Sequence, residues 1–254
     1  VIDKDDNAPE RIAPHRDAEI IVNTTPVGMY PKNMISPISL DDFPSAQAVL
    51  DVVYNPARTA LMLDAERRGI AAVGGLSMLV AQAAKGFEHF TGDSREEGII
   101  GSVLAQITAR SSNIILIGMP GCGKSSVGAI IADRLGREFF DADEEFEKMH
   151  SITPADAIRM LGEEKFREME TETIALLGKL SGKVIATGGG VVTRERNYPL
   201  LHQNGVIVFL ERDISLLPTN NRPLSQGNSL EKLYNSRIDA YRRFADITVE
   251  STGI

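Results

Sequence analysis

The chain has 254 residues, 43% hydrophobic and 24% charged, a globular rather than disordered composition. At ~150 residues per domain, that length sets an expectation of one to two domains. The formal net charge is −8, from 27 Lys and Arg against 35 Asp and Glu, which gives no support to a nucleic-acid or anionic-membrane partner. The single cysteine excludes an intrachain disulfide framework and a Cys-cluster metal site, and fits a reducing, cytoplasmic setting. The longest charge-free run, Gly69 to Ala84, is too short and too broken by Gly, Ser and Gln to cross a membrane. The chain opens on Val1 with no charged-then-apolar leader, so a piece of something longer is expected.

In chain order, Glu19–Asn23 and Ala48–Val53 read as short buried strands, apolar runs rich in β-branched residues. The segment between them, Thr24 to Pro44, is dense in Pro, Gly, Asn and Ser and reads as a long ordered loop. Thr59–Arg68 is a helix stopped by Gly69, Leu76–Phe90 a stronger one with apolar residues at helical spacing, and Ser94–Arg110 a further amphipathic helix. Beyond Ser111 the rhythm becomes strand and helix in turn. Asn113–Ile117 is a strand and Gly123–Leu135 a helix. Glu138–Phe140 starts a second strand, and helical stretches run from Pro154 to Leu180. Lys183–Ala186, Val206–Leu210 and Ile247–Val249 are further strands, and Arg237, Arg242 and Arg243 lie on a helix between the last two. This alternation predicts an α/β fold whose parallel sheet is covered on both faces.

Gly118-Met119-Pro120-Gly121-Cys122-Gly123-Lys124-Ser125 matches G-x-x-x-x-G-K-[ST] in full, between an apolar strand and a patterned helix. The glycines let backbone N–H groups turn inward onto phosphate oxygens, and the helix N-terminus adds partial positive charge. Lys124 reaches the β/γ-phosphates and the Ser125 hydroxyl can ligate Mg²⁺. Cys122 has no histidine near it in sequence and reads as a packed loop residue. Asp141 and Asp143, at i and i+2 after a strand, are expected to point together into the crevice at the strand's carboxyl end. One could serve Mg²⁺ through water and the other a substrate hydroxyl. Taken alone, the pair reads as a solvated acidic helix start, and Arg167 as a surface helix arginine in salt bridges. Thr187-Gly188-Gly189-Gly190 after a strand permits close approach of backbone to a ligand, or makes a loose turn. Arg222, in the polar stretch Thr219 to Ser229, reads as a lid arginine that could stabilise charge on a transferring phosphoryl group. His15, His89, His150 and His202 lack ligand spacing and are assigned no metal.

The pieces GMPGCGKSS, FFDAD, EKFREME, ATGGGVV, NNRPL and NSRIDAYRR, in this order, resemble shikimate kinase over roughly residues 112–254. The resemblance implies a three-layer P-loop kinase fold and transfer of the ATP γ-phosphate to the 3-hydroxyl of shikimate, in aromatic amino-acid biosynthesis. It implies that Gly121, Cys122, Gly123, Lys124, Ser125 and Ser126 cradle ATP, with Ser125 and, through water, Asp141 on Mg²⁺. It implies that Asp143 holds the shikimate hydroxyls and orients the acceptor. Arg167 and Arg237 would clamp the shikimate carboxylate, Gly189 would give a backbone contact, and Arg222 would close over the nucleotide. Lys124, Asp143 and Arg222 are thus the expected catalytic residues. Many family members carry a second lid arginine where this chain has Leu216-Leu217-Pro218-Thr219, and continue past the last strand with an adenine-contacting loop and a closing helix.

Residues 1–91 carry NTTPVGM, DVVYNP and GGLSMLVAQAA and resemble the C-terminal half of shikimate dehydrogenase. That resemblance implies a partial Rossmann-like segment in which Tyr54 and Gln82 touch shikimate, and Val52 and Gly75 lie against the nicotinamide of NADP. Residues 1–111 hold no G-x-G-x-x-G fingerprint, and the family's catalytic Lys–Asp pair is not found, so no dehydrogenase activity is expected of this chain. The expected division is a dehydrogenase-like segment at 1–108 and a kinase-like domain at 109–254. The kinase domain is expected to be monomeric and fused in the parent protein to an upstream dehydrogenase. Two other readings stand beside it: a P-loop kinase for another hydroxylated metabolite such as gluconate, and a non-catalytic nucleotide-binding or scaffold fragment of a larger enzyme.

Overall fold

The computed structural model describes residues 12–92, 97–217 and 228–251. The chain divides into two compact units, Val1–Ser111 and Ser112–Ile254. Among the described residues no helix is long and apolar enough to cross a membrane.

Among its described residues the first unit contains three strands, β1 (Ile20–Asn23), β2 (Ala48–Asp51) and β3 (Ala71–Val73), paired in parallel in that order. Three helices follow β2 and β3: α1 (Ala60–Arg67), α2 (Leu76–Thr91) and α3 (Glu97–Ser111). Ile21, Val49, Leu61 and Ala65 join Leu40 and Phe43 in its core. A polar knot ties the strand ends to α1. Asp51, buried, accepts from Asn23 Nδ2 (3.0 Å), Val53 N (3.0 Å) and Thr59 Oγ1 (2.7 Å), and Thr59 in turn caps α1. The expectation of fully buried strands is corrected here. Ile20, Val22, Leu50 and Val73 alternate with the core residues and are exposed, because α1 packs on β2 and β3 from the other face. The sequence pattern also missed β3, which at three residues carries no periodicity of its own.

The second unit is built on β4 (Asn113–Ile117), β5 (Phe139–Asp141), β6 (Val184–Ala186), β7 (Gly205–Glu211) and β8 (Ile247–Glu250). They form one parallel sheet in the order β5-β6-β4-β7-β8. The helices are α4 (Lys124–Leu135), α5 (Ala142–His150), α6 (Pro154–Leu161), α7 (Glu163–Leu177), α8 (Asn197–His202) and α9 (Asn228–Phe244). Ile115, Leu116 and Ile117 of β4 are completely buried among Ile185, Ile207, Phe209 and Tyr241, so the central strand is apolar on both faces as a parallel sheet requires. Gly128 lets α4 lie close to β5: a Cβ there would come within 2.5 Å of the Phe139 ring. The expected helical stretch from Pro154 to Leu180 is divided at Gly162, whose φ of +85° suits glycine, and Thr153 caps α6.

The register fixes the site. Leu116 pairs with Ala186, and Ala186 with Asp141, so β4, β5 and β6 reach one row together at their carboxyl ends. β4 also lies where the strand order reverses, the place at which open α/β sheets form a ligand crevice.

Asn113 pins the opposite end of β4. It is fully buried, donates Nδ2 to Leu180 O (2.6 Å) and accepts the Lys183 N–H at Oδ1 (2.8 Å). Asn113→Ala should therefore lower the unfolding free energy of the chain by about 2–4 kcal/mol, read from urea melts by circular dichroism. A loss below about 0.5 kcal/mol contradicts this role.

Candidate active site

The phosphate loop leaves β4 at Gly118, whose φ is +150°. A Cβ there would sit 2.6 Å from Leu210 O, so the loop starts hard against β7. Gly121 and Gly123 take φ of +82° and +99°, the left-handed values that glycine adopts without strain. Lys124 is the first residue of α4 and is buried, with Nζ donating to Gly118 O (2.9 Å) and Met119 O (3.0 Å). The ammonium thus spans the loop, held by the carbonyls that start it. Cys122 is completely buried, as expected of a packing residue. Ser125 and Ser126 are exposed on the first turn of α4, and Ser125 Oγ donates to Asp141 Oδ2 at 2.5 Å.

Asp141 ends β5 and caps α5, accepting from Asp143 N at 3.0 Å. This corrects the expectation that the two carboxylates share one strand face, since Asp143 sits inside the first turn of a helix and strand alternation does not reach it. Both expectations from the sequence meet in one residue. Asp143 belongs to an acidic helix start, and its Oδ1 also faces the loop after β6, because a Cβ on Gly188 would lie 3.0 Å from it.

That loop, Thr187–Gly190, is where the remaining residues converge. Thr187 anchors it by donating N and Oγ1 to Leu116 O, at 3.1 and 3.0 Å. A Cβ on Gly188 would also meet Glu170 Oε1 at 3.0 Å. One on Gly189 would meet Pro120 of the phosphate loop at 2.7 Å, and one on Gly190 the Arg167 guanidinium at 2.2 Å. Arg237 Nη1 donates to Gly189 O at 3.1 Å, and the Tyr241 hydroxyl donates to the same oxygen.

Arg167 is not the surface arginine its local pattern suggests. It is buried, with Nη1 on Glu170 Oε2 at 2.8 Å, Nη2 on the more exposed Glu163 at 3.3 Å, and Nε without a hydrogen-bond partner. Helical spacing foresees the pairs but cannot foresee that the face they share turns inward. Burial pushes the Glu170 carboxyl above its ordinary value. Arg167 and Arg237 pull it back and Asp143 pushes it further, so all four charges lie within one field. Sequence reasoning missed Glu170 and Tyr241. The only trace of Glu170 is its i, i+3 spacing from Arg167, and the trace of Tyr241 is its place four residues after Arg237 on α9. Arg222 and the NNRPL stretch lie outside the described residues.

In the first unit, Gly75 is buried, and a Cβ there would lie 2.0 Å from Val52 O, which joins two of the residues expected at a nicotinamide. Tyr54 is exposed after β2, and Gln82 is exposed on α2.

The family model for shikimate kinase matches residues 120–253, more than half of the chain. The chain belongs to the shikimate kinase family. The shikimate kinase of Thermodesulfovibrio yellowstonii is 37% identical over 151 residues, 56% of this chain and 87% of that protein. That of Clostridium botulinum is 41% identical over 139 residues, 52% of this chain and 83% of that protein. A solved shikimate kinase from Acinetobacter baumannii, in complex with shikimate, matches at TM-score 0.54 and 34% identity over 59% of this chain and 89% of that one. A shikimate 5-dehydrogenase from Listeria monocytogenes, solved with shikimate and NAD, is 33% identical over 38% of this chain and 34% of that one, at TM-score 0.34.

Two outcomes follow from this packing. Gly190 has an ordinary φ of −101°, so Gly190→Ala strains no backbone and acts only by pushing the Arg167 guanidinium away. With Arg167 taken as a ligand of the phosphoryl acceptor, the KM for that acceptor should rise about tenfold or more while that for ATP changes by less than about twofold, and equal changes in both refute it. The second concerns pH. A carboxyl held above its ordinary 4.5 keeps its proton in the folded chain where the unfolded chain has lost it. Its stabilising contribution is full below that value and is lost as pH rises through the folded one. Measured against Glu170→Gln in urea melts, the wild type should lose stability as pH climbs from about 4.5, and a difference that grows with pH contradicts the direction.

Proposed function

We propose that the chain transfers the γ-phosphoryl group of ATP to the 3-hydroxyl of shikimate, giving 3-phosphoshikimate. The observation that carries this reading is the convergence on Gly188–Gly190 of Asp143, Arg167 and Arg237, directly beside Pro120 of the phosphate loop. Two guanidiniums and a carboxylate suit a small anion that also bears hydroxyls. The contact with the phosphate loop brings that acceptor beside the donor.

The roles follow from the chemistry of each group. Gly121 to Ser126 wrap the ATP phosphates, and Lys124 exchanges its loop carbonyls for phosphate oxygens, which places positive charge where negative charge develops. Arg167 and Arg237 bind the shikimate carboxylate and so fix the ring, and Gly189 adds a backbone contact. Asp143 accepts hydrogen bonds from the ring hydroxyls and takes the proton of the attacking one. Phosphoryl transfer asks mainly for positioning and charge neutralisation, so a strong base is not required. Arg222 would close over the nucleotide.

The Ser125 hydroxyl beside Asp141 fits Mg²⁺, held directly by Ser125 and through water by Asp141. Among the described residues no group of three His, Cys, Asp or Glu gathers into a protein cage, so phosphates and water would supply the rest of its shell. The ion neutralises phosphate charge when bound.

We assign the second unit, Ser112–Ile254, to this kinase and the first, Val1–Ser111, to a dehydrogenase-like segment, which moves the boundary expected at 108/109 to the end of α3. In that segment Tyr54 and Gln82 would mark a shikimate contact, and Val52 and Gly75 a nicotinamide contact, without hydride transfer. A coupled ADP-release assay tests the whole reading. Turnover should require shikimate, and Lys124→Ala and Asp143→Ala should each reduce it about a thousandfold. Turnover that gluconate supports and shikimate does not, ADP release without any acceptor, or none from the wild type would each overturn it.

A further inference from the structure

The geometry points to Tyr241 as a positioning residue for the acceptor: its hydroxyl holds the Gly189 carbonyl while Arg237 turns from that carbonyl to the substrate carboxylate. This inference rests on the shikimate kinase reading of the site. Arg237 and Tyr241 stand one turn apart on α9 and donate to one oxygen, which its two lone pairs allow. The double arrangement has a cost for binding. A guanidinium that takes a carboxylate bidentately uses two of its five N–H groups, and we take the edge used to be the one whose Nη1–H now lies on Gly189 O, so that Arg237 gives up that bond on binding.

Left alone, this half-buried carbonyl would lose its charged donor just as a bound acceptor shields it from water, which disfavours the bound state. The Tyr241 hydroxyl removes that penalty by staying. The side chain is built to stay, being completely buried with its ring stacked on Phe209 of β7 at 5.0 Å and 9° between planes. Burial also pushes the phenol above its ordinary pKa, so it remains a donor at neutral pH. Gly189 cannot drift to compensate, since Pro120 closes its other side.

Tyr241→Phe removes the hydroxyl and keeps the stacked ring. With the wild type active on shikimate, the variant should show a KM for shikimate raised about tenfold, with kcat and the KM for ATP within about twofold and Tm within about 2 °C. Calorimetric titration with shikimate should give the same shift in Kd. In an Arg237→Ala background, no arginine leaves the carbonyl on binding, so adding Tyr241→Phe should change Kd by less than about twofold. An unchanged KM for shikimate in Tyr241→Phe overturns the inference, as do additive effects in the double variant. A fall in Tm with kcat and both KM values moving together marks a purely structural tyrosine and overturns it too. A wild type that neither binds shikimate nor turns it over overturns the functional reading first, and this inference with it.

Discussion

The parallel register of β4, β5 and β6 is the constraint on which the site depends. Because Leu116, Ala186 and Asp141 share one row, the phosphate loop, the cap of α5 and the glycine loop all leave the sheet at the same edge. Parallel strands leave no alternative, since every connection must cross back by a helix before the next strand begins. Two helix N-termini therefore open on one crevice, those of α4 and α5, and the sequence treats them oppositely. The first turn of α4 holds Lys124 and two serines, which leaves its partial positive charge for phosphate. The first turn of α5 holds Asp143, Glu144 and Glu145, whose carboxylates answer its own dipole.

The three consecutive glycines give this edge its density. Their freedom of φ is not what matters, as Gly190 adopts an ordinary −101°. Each instead makes room for a different neighbour: Asp143 and Glu170 at Gly188, Pro120 at Gly189, Arg167 at Gly190. The sequence suggested glycines that let a ligand approach the backbone. In the fold the vacated Cβ positions are taken by the protein's own side chains. A triple glycine is thus legible as a close approach, while its partners, which come from α5, α7 and the phosphate loop, are not.

The same limit explains what else was legible. Strands such as Asn113–Ile117 and helices such as Lys124–Leu135 were readable because periodicity and end signals are local. β3 escaped because three residues carry no period, and the half-exposure of β1 and β2 escaped because an apolar run does not say how many faces are covered. The phosphate loop could be read from its own residues. Arg167 could be placed only through family resemblance, because its i, i+3 and i, i+4 carboxylates look the same on a surface helix. Glu170 and Tyr241 carried no sequence signal beyond helical spacing, since their importance is set by contacts with residues at Gly188 and Gly189.

Burial changes the meaning of the Arg167 pairs. On a surface, pairs at this spacing contribute little, and entropy keeps both partners mobile. Here Glu170 is as buried as the arginine, Glu163 flanks the other nitrogen, and Gly190 fits the guanidinium plane with no room for a methyl group. Removing two charges from water is unfavourable, and their attraction offsets it only when the geometry is good and further hydrogen bonds are made. The return is an arginine whose orientation is fixed during folding, before any ligand arrives. A lysine could keep the charge at this position but not the plane, which is set against Gly190 and faces the loop that Arg237 also holds.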